Sequence, residues 1–294
     1  MKYYILHNPK AGNANSQTRI DALLQSYGES GSYIDITKIT NYSDFFASVD
    51  KDDTIILCGG DGTINRFTNS TEGIEIPCEV LYCATGTGND FLHDIGKSAS
   101  DAPVRLNEYI KDLPVVDING KRYRFINNVG FGIDGYCCEV GDKLKASSGE
   151  PVNYTSIAIK GLLFHYKTTN ATVTVDGNEY KYKKVWLAPT MKGRFYGGGM
   201  MPTPAQDRND PEKKLSVMLF YGKGRLKTLM AFPSIFKGEH IKHTNMVAIH
   251  SGSEISVTFD SPAAVQIDGE TILGVTSYKA MAKAPVSVKE SATV

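Results

Sequence analysis

At 294 residues, with 41% hydrophobic and 22% charged side chains, the chain is long enough for two domains and has the composition of a soluble globular enzyme. No stretch approaches the roughly 18 apolar residues of a transmembrane helix, and Met1–Leu6, soon interrupted by His7-Asn8-Pro9, is too short for a signal peptide. The formal net charge of zero hides an asymmetry: residues 1–118 carry 9 basic against 17 acidic side chains, the remainder 23 against 15. A basic second half points to an anionic partner, either a membrane surface or the acidic first half itself. Cys58, Cys78, Cys83, Cys137 and Cys138 lack metal-ligand spacing and read as reduced, mostly buried thiols of a cytosolic protein.

Residues 2–6 read as a first strand, and about 14–27 as a helix with Ile20, Leu23, Leu24 and Tyr27 on one face. A second strand is expected at Ser32–Ile39 and a short helix at Ser43–Val49. The apolar run Asp53–Cys58 reads as a buried strand leading into Gly59-Gly60-Asp61-Gly62-Thr63, with Thr63 expected to cap a helix reaching Asn69. A glycine cluster between strand and helix points several backbone N–H groups at one spot, where the helix dipole adds positive charge; phosphate is the natural ligand. Asp61 tolerates a triphosphate only with a proton or a divalent cation between them. Taken alone, these five residues read equally as a capped turn. Glu79–Cys83 is a further strand, ending in Thr85-Gly86-Thr87-Gly88-Asn89-Asp90-Phe91. The alternation indicates a mainly parallel sheet, and the polar loops 7–13, 59–63 and 85–90 all fall at the strands' carboxyl ends, where ligands collect.

After Leu113 the pattern changes. Val115–Ile118 and Tyr123–Asn128 flank Asn119-Gly120, and Thr172–Val175 and Tyr180–Ala188 flank Asp176-Gly177-Asn178; both are hairpin signals. Short strands follow at Leu215–Tyr221, Met246–His250, Ile255–Asp260, Ala264–Ile267, Tyr278–Lys283 and Val286–Lys289. This half reads as an antiparallel sandwich or open barrel, with the boundary near 112–120: an α/β domain over 1–118 and a β domain over 119–294 whose last strand can pack back on the first domain. Tyr154–Tyr166 and Leu226–Phe236 interrupt it as apolar, partly helical segments.

Five motifs occur in order: Asn8-Pro9-Lys10-Ala11-Gly12, Gly59–Asn65, Thr85–Phe91, Asn128–Asp134 and Val265–Glu270. In these the chain resembles the diacylglycerol kinase catalytic-domain family of soluble lipid kinases, over nearly its whole length. The resemblance implies an α/β domain similar to those of NAD kinases and phosphofructokinases, joined to a C-terminal β-sandwich, with ATP between them. Phosphoryl transfer needs clamped phosphates, a divalent cation and a group that orients or deprotonates the acceptor hydroxyl. The expected nucleotide contacts are Asn8, Pro9, Gly12, Gly59, Gly60, Asp61, Gly62, Thr63, Asn65, Thr85, Gly86, Thr87, Gly88 and Asn89. Asp61 and Asp90 are expected to hold Mg²⁺, although Asn89-Asp90 alone reads equally as a helix cap. In Asp268-Gly269-Glu270 the likeness implies that Asp268 is the base and Glu270 its support; the plain alternative is a hairpin turn.

Two positions depart from the family pattern. Asn13 stands where many members have a basic residue, which leaves the basic contact to phosphate to Lys10 or Arg19, or leaves it missing. The stretch Asp207–Lys214 lacks the Asp-Gly pair through which bacterial members bind a structural Mg²⁺, and Asp210 is the remaining candidate ligand. Ile157, Ile159, Leu162, Leu163 and Phe164, or Leu229, Met230, Phe232, Ile235 and Phe236, are candidates for an acyl-chain cleft or a bilayer contact. Lys160, Lys167, Arg225, Lys227 and Lys237 flank them and suit anionic headgroups. Gly197-Gly198-Gly199-Met200 is expected to shape the cleft floor. The reading is an ATP- and Mg²⁺-dependent kinase of a lipid hydroxyl, diacylglycerol first, in the cytoplasm with peripheral membrane contact, no nucleic-acid partner and a homodimer as an option. Its rivals are an NAD kinase-like enzyme and a non-catalytic lipid-binding relative.

Overall fold

The computed structural model describes residues 1–9, 14–86, 88–148, 152 and 154–283. The strands are β1 (Tyr3–His7), β2 (Gly31–Asp35), β3 (Thr54–Gly59), β4 (Glu79–Ala84), β5 (Val104–Arg105), β6 (Val115–Ile118), β7 (Lys121–Arg124), β8 (Asn128–Gly132), β9 (Thr169–Val175), β10 (Asn178–Val185), β11 (Leu187–Met191), β12 (Leu215–Phe220), β13 (Val247–Gly252), β14 (Glu254–Ile267) and β15 (Glu270–Met281). The helices are α1 (Ala14–Tyr27), α2 (Tyr42–Ala47), α3 (Asp61–Ser70), α4 (Asp90–Asp94), α5 (Asn107–Ile110), α6 (Ile133–Ser148), α7 (Tyr154–Lys160) and α8 (Arg225–Ala231).

The first sheet has the order β2-β1-β3-β4-β5, parallel except for the β5 edge. Its central strand β3 is buried on both faces, as a continuous apolar run requires of a helix-covered parallel strand. Ile56 and Cys58 face α1 with Ile5 and Ile20, while Ile55 and Leu57 face Ile64, Phe67 and Phe91 on the opposite side. Because all three central strands run the same way, their carboxyl ends, at His7, Gly59 and Ala84, share one edge. The expected strand Ser32–Ile39 is shorter: Asp35 accepts hydrogen bonds from the Thr37 N–H (3.0 Å) and hydroxyl (2.6 Å), which turns Ile36–Lys38 into a 3₁₀ turn.

The second sheet is antiparallel, in the order β13-β12-β11-β8-β14-β15-β6-β7, with the β9–β10 hairpin joined to β14. Val115–Ile118 already belongs to it, pairing with β15 and β7. What the sequence presents as two strands, 255–260 and 264–267, is one long β14 bent where its register shifts between Thr258 and Ala263. Its first half pairs with β9 and its second with β8, so the sheet folds over a core that includes Phe131, Val217, Val257, Phe259 and Val265. The expected strand Tyr180–Ala188 divides into β10 and β11 at Trp186, after Lys184 adopts a left-handed φ of 55°. The helix α6 follows β8 and has no counterpart in the sequence reading. The partly helical segments 154–166 and 226–236 appear as α7 with a following π turn, and α8 with a following 3₁₀ helix. The expected strand at Val286–Lys289 lies outside the described residues.

Candidate active site

Two glycine loops form one wall. Helix α3 starts at Asp61, three residues earlier than a Thr63 cap would place it, with Gly60 as an extended N-cap that supplies no side chain. The Thr63 side chain instead occupies the space that a Cβ on Gly59 would need. The Gly59 carbonyl accepts from the N–H groups of Thr85 (2.8 Å) and Gly86 (3.1 Å), so the loops after β3 and β4 are bonded together. They also touch: a Cβ on Gly86 would lie 2.6 Å from the Gly60 Cα. Glycine is required here for close backbone approach rather than for an unusual φ. The leading amides of α3 therefore face a surface bare of side chains, the setting in which helix N-termini bind anions.

Asp61 serves the neighbouring helix. Its carboxylate accepts from the N–H groups of Asp90 and Phe91, both at 2.9 Å, and from Asn127 Nδ2 at 3.1 Å. It thereby caps α4, a task the sequence assigned to Asn89 or Asp90. Asn89 stands at the N-cap position with φ 51° and no capping bond; its Nδ2 donates to the Gly86 carbonyl, and its buried Oδ1 has no hydrogen-bond partner. Asp90 accepts from the N–H groups of Gly198 (2.8 Å) and Gly199 (2.7 Å), so the glycine run after Tyr196 binds a carboxylate. Burial, and then the nearby Asp61 carboxylate, pushes the Asp90 carboxyl up to about 7. One oxygen from each acid lies within 3.5–3.6 Å of the point where a Gly88 Cβ would stand. Two converging carboxylate oxygens that repel one another are a hard-donor pair suited to a divalent ion. Among the described residues no set of three or more His, Cys, Asp or Glu is placed to hold a metal. Such an ion would draw its remaining ligands from phosphate and water, as Mg²⁺ commonly does.

The opposite wall is the turn between β14 and β15. Asp268 is buried, at φ 47°, and its two oxygens accept four hydrogen bonds: from the N–H groups of Ile126 (2.7 Å), Asn127 (2.8 Å) and Asn128 (2.9 Å), and from Asn65 Nδ2 (2.8 Å). Burial pushes its carboxyl up to about 6 against the pull of these donors, leaving it ionised at neutral pH. Four donors on two oxygens fill the acceptor positions that a base needs open. Glu270 differs: its side chain is half exposed, and among the described residues only Arg66 engages it, through Oε1 at 2.8 Å. That same oxygen would stand 3.7 Å from a Cβ on Gly62, which places Glu270 over the first wall.

Several expected contacts have other duties. Asn65 is turned away from the glycine loops and joins α3 to Asp268 and to the Arg124 carbonyl (3.1 Å). Arg19 donates to the Asp101 carbonyl. Asp210 accepts from the N–H groups of Glu212 (3.0 Å) and Lys214 (3.2 Å), within its own turn. Asn8 is half-buried and Pro9 exposed at the end of β1; Thr85 is buried, its carbonyl accepting from Ser16 Oγ at 2.7 Å. Lys10, Gly12, Asn13 and Thr87 lie outside the described residues. A broad cleft of about 750 Å³ opens at the far end of α3, between Thr71, Arg124 and Lys213, and none of the glycine-loop residues lines it.

The sequence reading missed Asp94, Asn127, Arg208, Asp134 and Gln266. Arg208 Nε donates to Asp94 Oδ2 (2.6 Å), Nη1 to the Ile126 carbonyl (2.6 Å) and Nη2 to Asn127 Oδ1 (2.7 Å). Gln266 donates to Asp134 (3.3 Å) and accepts from the Gly269 N–H (2.9 Å), bracing the turn that carries Asp268 and Glu270. Burial pushes the Asp134 carboxyl up to about 6. The only sequence signal was adjacency: Asn127, Asp134 and Gln266 adjoin or lie within quoted motifs, and Arg208 sits in a polar stretch with no period.

Comparison with known proteins agrees with the two-sheet fold. A diacylglycerol kinase catalytic domain profile matches residues 2–115, and the profile of the YegS C-terminal NAD kinase beta sandwich-like domain matches residues 127–288. A diacylglycerol kinase of Mycobacterium tuberculosis is 28% identical over 197 residues, a match that spans 65% of this chain and 62% of that protein. A diacylglycerol kinase of Bacillus subtilis is 24% identical over 280 residues, 90% of this chain and 88% of that one. A solved diacylglycerol kinase structure from Bacillus anthracis has the same fold, with a TM-score of 0.59 and 21% identity over 97% of each chain. The chain belongs to the family that joins a diacylglycerol kinase catalytic domain to a YegS-type C-terminal β-sandwich domain.

Proposed function

We propose that the protein is a lipid kinase that transfers the γ-phosphate of ATP to the hydroxyl of diacylglycerol, giving ADP and phosphatidic acid. One observation carries this reading: Asn65 of the glycine-loop helix is hydrogen-bonded to Asp268, 203 residues away, so that the acidic turn of the second sheet closes over the bare amides of the first. A phosphate site and an exposed carboxylate then face each other, as phosphoryl transfer to an alcohol requires.

Gly60, Asp61 and Gly62 present the leading backbone of α3 to the phosphates, and the buried, unpartnered Asn89 Oδ1 is an acceptor for a nucleotide donor. Asp61 and Asp90 would hold Mg²⁺, which supplies charge neutralisation at the phosphate oxygens. Glu270, rather than the expected Asp268, accepts the proton of the acceptor hydroxyl: its carboxylate has an oxygen to spare, whereas those of Asp268 are filled. Asp268 anchors the turn. As the hydroxyl oxygen bonds to the γ-phosphorus, the bond from that phosphorus to the bridging oxygen of ADP breaks, and the hydroxyl proton passes to Glu270.

The acceptor arrives, in this reading, from an anionic membrane surface. Ile159, Phe164, Leu226 and Met230 are exposed on α7, α8 and the turn between Gly161 and His165, segments that pack together. Residues 154–168 and 222–238 contain no Asp or Glu but include Lys160, Lys167, Lys223, Arg225, Lys227 and Lys237. Each cation near an anionic surface contributes about 1 kcal/mol. The test is radiolabelled γ-phosphate transfer to diacylglycerol, monoacylglycerol, undecaprenol, sphingosine, ceramide and NAD, with product identification. Phosphatidic acid as the main product supports the reading; labelling of NAD alone, or of nothing, overturns it.

A further inference from the structure

We propose that Arg208 is a positioning residue of this site, an internal cation that fixes Asp61 through Asn127. The guanidinium is almost fully buried, and its three arms end on Asp94 Oδ2, the Ile126 carbonyl and Asn127 Oδ1. Its plane also lies 5.0 Å from the Phe91 ring centroid. The Asn127 amide is thereby oriented: with Oδ1 held by Arg208, its Nδ2 points at Asp61 Oδ1 (3.1 Å), while its backbone N–H donates to Asp268. Asp61 in turn caps α4 through the amides of Asp90 and Phe91, and α4 ends in Asp94, the partner of Arg208. The chain of contacts closes on itself, linking the glycine-loop acid of the first domain to segment 126–128 of the second.

The guanidinium suits this place because a planar fork satisfies three acceptors in fixed directions, which an ammonium or a hydrated ion does not. Arg194 shares Asp94, donating to Oδ1 at 3.0 Å and to its carbonyl at 2.6 Å, and lies over the Phe195 ring. Of the two arginines, Arg208 is the one that bonds to Asn127, and through it to Asp61.

The inference rests on the kinase reading only for its rate measurement, so the experiment pairs that rate with one that is independent of substrate. Amide hydrogen exchange at Asp90 and Phe91 is followed in the full chain for wild type, Arg208→Lys, Asn127→Ser, their double variant and Arg194→Gln, alongside γ-phosphate transfer. Arg208→Lys and Asn127→Ser should each speed exchange at these two amides at least tenfold and lower kcat at least tenfold, with KM for the lipid within twofold. The double variant should be no worse than either single one, and Arg194→Gln should leave exchange at both amides near wild type. Should Arg208→Lys fail to fold, Arg208→Gln takes its place. Unchanged exchange in the Arg208 variant or in Asn127→Ser, or additive effects in the double variant, overturns the positioning role. Wild type that transfers no phosphate removes the kinase reading and leaves the exchange result standing by itself.

Discussion

The first wall and the base of the second use carboxylates in one way, and the outer lip of the second in another. Asp61 and Asp90, on the wall built by the first sheet, are engaged by backbone amides from α4 and the 198–199 turn, and Asp268, at the base of the second wall, is gripped by four donors. On the outer lip of the second wall, Glu270 lies half exposed beside a single arginine. A saturated carboxylate holds geometry and resists movement; one with a spare lone pair can receive a proton. The comparison teaches that motif adjacency does not assign roles within an acid pair. Hydrogen-bond occupancy does.

The widest break in that comparison is Asp268→Asn. Replacing a buried anion by an amide sets an NH₂ against the N–H donors of residues 126–128, at a cost of about 3–5 kcal/mol in unfolding free energy, readable by denaturant titration. Loss of a buried charge does not always weaken a protein, and Asp134 supplies the contrast. Its carboxyl is raised from 3.8 to about 6, chiefly by burial, so the native state binds a proton that the unfolded chain has already released. Its contribution to stability therefore falls by up to about 3 kcal/mol as pH rises from about 4 to 6 and is flat above. Asp134→Asn should flatten that segment of the curve relative to wild type in melts across this range.

Gly86→Ala probes the first wall: its Cβ meets the Gly60 Cα at 2.6 Å, so the two loops must part. Nucleotide affinity by calorimetry should fall about tenfold, the equivalent of 1.4 kcal/mol. The smallest effect belongs to the outer face. Phe164→Ser with Met230→Ser, at positions 69% and 72% exposed, should leave the melting temperature unchanged. The pair should also reduce flotation with anionic vesicles by a few-fold.

Much of this was legible in the sequence. The glycine-bearing loops after β3 and β4 stand out behind their apolar strands, and Asp-Gly and Asn-Gly pairs marked the hairpins, because backbone requirements leave a local signature. Contacts between distant side chains leave none. Nothing near Asn65 shows that its amide turns toward Asp268, nor does the polar stretch around Arg208 announce a buried guanidinium. Helix α6 was missed because Gly135 and Gly141 dilute its pattern, and the first half of β15 because Gly274, at φ 69°, and exposed polar residues hide the alternation.

The most direct measurement is single-turnover transfer of labelled phosphate to diacylglycerol by Glu270→Gln and Asp268→Asn, each normalised to its folded fraction. The account predicts a loss of about 10²-fold or more for Glu270→Gln with nucleotide affinity retained, and a far smaller loss per folded molecule for Asp268→Asn. A wild-type rate in Glu270→Gln, with well-folded Asp268→Asn inactive, would contradict it.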